Sequence, residues 1–182
     1  MKPFRKSSRP PVDTKHHAFQ TLLKNRTYHG GILAPGSSLL RYGENGRGIK
    51  SRWYAETLRK RIQNIKQFRH KITFIQGDGI EAIDKYGRQK TAVLFIDPPY
   101  TAGKNGKRAG TRLYTHFELD HDRLFTRVEK TKGDFIMTYD NAEEVHQLAK
   151  RHGFKCKTIS MMNTHHATMQ ELLIGRDLSW VS

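Results

Sequence analysis

The sequence predicts an α/β fold preceded by a basic, helical N-terminal region, and three observations carry that expectation. Short apolar runs at Ile72–Ile75, Thr91–Ile96 and Phe135–Tyr139 alternate with segments of helical spacing. Positive charge is concentrated early: residues 1 to 70 hold 16 Lys and Arg against Asp13, Glu44 and Glu56, a net of +13 out of +16 for the chain. At 182 residues with 36% hydrophobic content, the chain has enough apolar material for one compact core and a small annex.

Taken in order, residues 1–15 combine Lys2, Arg5, Lys6 and Arg9 with Pro3, Pro10 and Pro11 and little apolar content, which predicts a flexible basic arm. Residues 16–70 form a basic helical region expected to bind nucleic acid. Within it, Phe19, Leu22 and Leu23 share a helical face from His16 to Lys24, and that helix is expected to stop near Asn25, before Gly30-Gly31. A glycine-rich basic loop, carrying Arg41 and Arg47, occupies 29–50. It suits a phosphate backbone, and a plain linker is an equal alternative. Leu58, Ile62 and Ile65 then line one stripe of a helix from Tyr54 to Phe68 whose other side is cationic.

Residues 71–182 carry the core. A strand is expected at Ile72–Ile75, and the run Thr91–Ile96 reads as a strand buried on both faces. Asp120 is placed to cap a helix through Leu124 and Val128; Asn141 is placed to cap one with Val145, Leu148 and Ala149 inward. Strands near Lys155–Met161 and Met169–Ile174, with no clear helix between them, suggest an antiparallel pair at a sheet edge.

Charge and composition narrow the function classes. A cationic segment interleaved with Phe19, Tyr28, Tyr42, Trp53 and Tyr54 fits a polyanion, because neutralising phosphates releases counterions. A merely solvated cationic surface is the plainer reading. The single cysteine, Cys156, excludes an intramolecular disulfide and suits a reduced cytoplasmic setting. The longest apolar run, Ala92–Ile96, is far short of the roughly 20 residues of a membrane span. His165-His166 lacks the spaced partners of a metal site.

Chemistry concentrates at Asp97-Pro98-Pro99-Tyr100, directly after the apolar strand. In open α/β sheets, ligands bind beyond the carboxyl ends of the strands. Methyl transfer to an exocyclic amine needs an acceptor for the amine hydrogens and a flat surface for the base; Asp97 offers the first and Tyr100 the second. Pro98 and Pro99 donate no N–H and have fixed φ, so their carbonyls can accept while the loop stays preorganised. A base inside a duplex must be extruded to reach such a site.

This run resembles the catalytic motif of amino-group methyltransferases, and further elements are similar to the Dam-like (D12 class) adenine-N6 DNA methyltransferases. Asn25-Arg26-Thr27 with Gly30-Gly31-Ile32, Asp78 after the strand at 72–75, Tyr114, Phe117, Asp120 and His121, Thr138-Tyr139-Asp140-Asn141, and Glu171-Leu172-Leu173-Ile174 follow that family's order over about residues 16–175. The resemblance implies S-adenosyl-L-methionine as cofactor with Asp78 and Asp97 beside it, and Asp97, Pro98, Pro99 and Tyr100 as the catalytic set. It implies DNA as partner, contacted by Asn25, Arg26, Arg41, Arg47, Lys50, Arg52 and Tyr114. It also implies a Rossmann-like methyltransferase sheet that is partial here. The family's first strands and glycine-rich turn have no counterpart in this sequence, and Gly43-x-x-Gly46-x-Gly48 follows no apolar strand. The sheet is therefore expected to have an open edge, for which a partner chain supplying the missing half is the favoured explanation. Two other functions stay open: a ribosomal RNA guanine-N2 methyltransferase and a catalytically silent DNA-binding subunit. Adenine N6 and cytosine N4 are not separated by the motif.

Overall fold

The protein is described from a computed structural model covering residues 13–33, 37–40, 46, 48–100, 118–162 and 168–181. The chain divides into two compact units, Met1–Ile72 and Thr73–Ser182.

In the first unit, α1 spans Thr14–Thr27 and α2 spans Ala55–Gln67. Asp13 caps α1 by accepting from the Lys15 N–H at 3.1 Å. The helix runs past the expected stop at Asn25 because Thr27 turns its hydroxyl back to the Leu23 carbonyl at 2.8 Å and is buried there. Tyr28 then bridges antiparallel to Leu39. The apolar stripe of α2 is covered only at Leu58; Ile62 and Ile65 are 53% and 60% exposed.

The second unit is mixed α/β. Its elements are α3 (Gly79–Tyr86), β1 (Val93–Ile96), α4 (His121–Glu129), β2 (Asp134–Asp140), α5 (Glu143–Arg151), β3 (Lys155–Met162) and β4 (Thr168–Gly175). The sheet order is β1-β2-β4-β3, with β1 and β2 parallel and β4 antiparallel to both its neighbours. The two closing strands form the antiparallel edge pair that their uninterrupted succession predicts. On one face, Phe135, Met137 and Tyr139 of β2 and Leu172 and Ile174 of β4 meet Ile80 and Ile83 of α3, Leu124, Phe125 and Val128 of α4, and Val145, Leu148 and Ala149 of α5 in one buried cluster. Stripes at helical spacing meet alternate residues of strands, which is how a helix layer and a sheet share a core.

Three further expectations are corrected, and one helix had not been expected. Residues 72–75 form no strand, and Phe74 is 88% exposed. A strand exists only where a neighbour accepts its hydrogen bonds, and among the described residues β1 pairs with β2 alone. For the same reason β1 is not buried on both faces: Leu94 and Ile96 pack against the core, whereas Val93 and Phe95 are 71% and 70% exposed. Asn141 is not the cap of α5; Ala142 holds that position without a side-chain bond, and the Asn141 Oδ1 pairs with His146 Nε2 at 2.8 Å. Finally, α3 was not foreseen, although Asp78 before it and Ile80 and Ile83 within it are a cap and a stripe. Among the described residues, no helix is long and apolar enough to cross a membrane.

One side chain ties the sheet to its turns. Arg176, just past β4, donates to the carbonyls of Gly133 at 2.6 Å, Thr131 at 2.7 Å and Glu129 at 3.1 Å, with its guanidinium 5.1 Å from the Phe135 ring centre. Gly133 also lets the turn before β2 approach the backbone before β1, since a Cβ there would lie 2.1 Å from the Ala92 carbonyl oxygen. Charge-assisted bonds are individually worth about 1.5–3 kcal/mol, and losing the donor strands several carbonyls at once. Arg176→Met is therefore expected to lower stability by about 2–4 kcal/mol in urea unfolding. A midpoint indistinguishable from the parent would show that the turns hold without it.

Candidate active site

The parallel register aligns Ile96 of β1 with Met137 of β2, so the residues that follow stand side by side, Asp97 just past the end of β1 and Thr138 within β2, which continues to Asp140. The Thr138 hydroxyl donates to Asp97 Oδ1 at 2.8 Å. The Asp97 carboxylate is exposed, while Pro98, Pro99 and Tyr100 are half-buried as the chain turns inward. The Tyr100 hydroxyl donates to Glu171 Oε2 of β4 at 3.3 Å, and its ring lies 6.1 Å from that of Tyr139 at an interplanar angle of 22°. Tyr139 is fully buried, with His121 Nδ1 2.9 Å from its hydroxyl oxygen. The motif is thus held across three strands.

Burial pushes the Tyr100 phenol up to about 12; the Thr138 hydroxyl pulls it down, and the Glu171 and Asp97 charges raise it. Tyr139 is raised as well, first by burial and then by Asp140. Both are therefore neutral hydrogen-bonding phenols at physiological pH.

Beside the motif lies a groove of about 660 Å³, within the roughly 300–1,000 Å³ typical of small-molecule sites. Ile80, Ile83 and Tyr86 of α3 and Leu94 and Ile96 of β1 line its apolar walls, and Asp78 and Asp97 both border it. Asp78 caps α3, its Oδ1 accepting from the Ile80 N–H at 2.8 Å. Among the described residues, the lining contains no Lys, Arg or His. Among the described residues, no cluster of three or more His, Cys, Asp or Glu could hold a metal ion. Cys156 is half-buried, and burial raises its thiol pKa, which keeps it a poor nucleophile.

The expected nucleic-acid residues divide differently. Asn25 Nδ2 donates to the Gly31 carbonyl at 3.0 Å and Arg52 Nη1 to the Tyr28 carbonyl at 3.1 Å, so both brace the turn after α1. Gly31 has φ +73°, and a Cβ there would come within 3.1 Å of both Asn25 and Arg52. Arg26 is half-buried, and its Nε is buried without a hydrogen-bond partner. Lys50 is exposed, as are Lys60, Arg61 and Lys66 along α2. Arg41, Arg47, Tyr114, Phe117 and the pair His165-His166 lie outside the described residues.

Sequence reasoning placed Asp78 and Asp97 in one motif order, and they border one groove. It assigned no function to Thr138 or Glu171, which entered only as members of the segments Thr138-Tyr139-Asp140-Asn141 and Glu171-Leu172-Leu173-Ile174 that follow the family's order. No protein-family model matches the chain, and no curated protein matches its sequence.

The raised Tyr100 pKa has a consequence for stability. A folded value of about 12 against an ordinary 10 means that the contribution of the neutral phenol is intact below about pH 10 and is lost as pH rises through about 12. Tyr100→Phe is expected to flatten part of that alkaline loss in thermal unfolding curves. An unchanged slope would place Tyr100 in a solvent-like environment.

Proposed function

We propose that this chain is an S-adenosylmethionine-dependent adenine-N6 DNA methyltransferase of the Dam-like class, or the C-terminal part of one. The observation that carries the reading is the Asp97 carboxylate, exposed at the end of β1, held by Thr138 and bordering an apolar groove. Fixed acceptors aimed where an amine must be held are the kind of preorganisation that amino-group chemistry needs. Asp97 and the Pro98 carbonyl accept hydrogens of the exocyclic amine, which aims its lone pair away from them. Tyr100 has one ring face toward Tyr139 and offers the other to an extruded base.

The cofactor fits the groove in part. The apolar walls suit an adenosine body, with Asp78 and Asp97 as its polar neighbours. When bound, the cofactor supplies an electrophilic methyl group. Among the described residues β1 has a neighbour on one side only, and with Val93 and Phe95 exposed this favours a partner chain that completes the sheet, because a parallel strand calls for cover on both faces. In this reading the sheet is the partial Rossmann-like sheet of a methyltransferase. The exposed cations of residues 16–70 hold the duplex through its phosphates. A second reading, a catalytically silent DNA-binding subunit, is favoured by the exposed cations of residues 16–70 together with the lack of the family's glycine-rich turn in the sequence.

Asp97→Ala is expected to abolish methyl transfer from S-adenosylmethionine to adenine in duplex DNA while leaving DNA affinity within about twofold, since phosphate contacts dominate affinity. Equal loss of both would make the motif a structural turn. Sedimentation of the chain alone tests the partner: self-association or non-cooperative unfolding is expected. A monodisperse monomer that unfolds in one cooperative step would argue that the sheet edge is self-sufficient.

A further inference from the structure

We propose that Thr138 and Glu171 are the positioning residues of the Asp-Pro-Pro-Tyr loop, each anchoring one end of it to a different strand so that acceptor and stacking ring are fixed relative to each other. This inference rests on the reading of the loop as a base-binding site. An exposed carboxylate at a strand end rotates freely unless something holds it. Thr138 does so with a 2.8 Å bond to Asp97 Oδ1, and this leaves Oδ2 as the oxygen not engaged by the hydroxyl. Threonine suits the task because its β-branch restricts χ1 and keeps the hydroxyl in place. At the other end, the Tyr100 hydroxyl reaches over β2 to Glu171 at 3.3 Å. Glu171 is itself placed by the antiparallel register, in which it faces Asp140 while Thr138 faces Leu173.

Between the two anchors stand Pro98 and Pro99, whose φ angles are fixed. A stiff linker tied at both ends has one main arrangement; freeing either end lets it sample others. The energetic effect is therefore conformational: base affinity falls in proportion to the fraction of time the loop spends in its competent form. The side-chain chemistry of both anchors is visible at Tyr100, since the Thr138 hydroxyl lowers and the Glu171 charge raises its pKa.

The test uses the full chain and the NMR signal of the Tyr100 ring, assigned with Tyr100→Phe. Two readings are taken: the alkaline titration of the phenol, and the perturbation of the ring by a single-stranded oligonucleotide containing one adenine. Thr138→Val is expected to move the titration up and Glu171→Met to move it down, and each to weaken the adenine-dependent perturbation about tenfold, as for a competent fraction of about one in ten. Thr138→Ser, which keeps the hydroxyl, is expected to stay within about twofold of the parent. Titrations that ignore both substitutions would overturn the anchoring. Unchanged adenine affinity in both variants, with the parent binding normally, would overturn the positioning role and leave the site reading intact. A parent Tyr100 that titrates as expected but never senses adenine would overturn the base-binding reading, and the inference with it.

Discussion

The parallel ladder between β1 and β2 is the contact on which the candidate site depends. Four residue pairs, from Val93 with Asp134 to Ile96 with Met137, set the height at which the chain leaves the sheet. A shift of one residue would turn Leu94 and Ile96 out of the core and carry Asp97 away from the Thr138 hydroxyl. Register in β1 is held by burial on one face only, because Val93 and Phe95 on the other face have no cover. The strand that leads into the Asp-Pro-Pro-Tyr motif is thus covered on one face only. Ligand sites drawn from such marginal elements are common, since the backbone groups that a folded core leaves unpaired are those available to something else.

The supporting layer behind the motif is built differently. Tyr139 is fully buried on β2 among Phe125, His121 and Tyr100, with ring centres 5.6 to 6.1 Å apart. Aromatic packing of this kind gives a rigid floor, because large rings lose little freedom when their neighbours already fill the space. Over that floor lie the polar contacts to Thr138 and Glu171. A soft edge and a firm floor meet at the same four residues.

Charge divides along the same line as compactness. Residues 1–72 hold 17 Lys and Arg against Asp13, Glu44 and Glu56, whereas residues 73–182 hold 16 against 14 acidic residues. The cations are thus almost evenly shared, but the first unit carries a net +14 of the chain's +16 because nearly all the acidic residues lie in the second. Asn25 and Arg52 show that not every polar residue in the basic unit is available for a ligand; their donors are engaged in closing the turn after α1.

Much of this was legible in residues one at a time. Asp120 before an amphipathic stripe does cap α4, accepting from the Arg123 N–H at 2.9 Å, because a cap is a local bond that needs no distant partner. The closing strands followed from their succession without a helix, and the placement of Asp-Pro-Pro-Tyr at a strand end followed from the apolar run before it. What needed the tertiary structure were statements about neighbours. Whether Ile72–Ile75 becomes a strand and whether Phe95 is covered both depend on which group stands opposite, and β propensity records only a fit to a surface that must already exist. Thr138 and Glu171 lie 41 and 71 residues from the groups they hold, so their contacts arise only when β1, β2 and β4 are laid side by side. The sequence by itself determined most of the elements, the basic first unit against the near-neutral second, and the residue types of the loop; the tertiary structure decided which strands stand side by side and which hydroxyl meets which carboxylate, because hydrogen-bond pairing across a sheet is a property of register and not of composition.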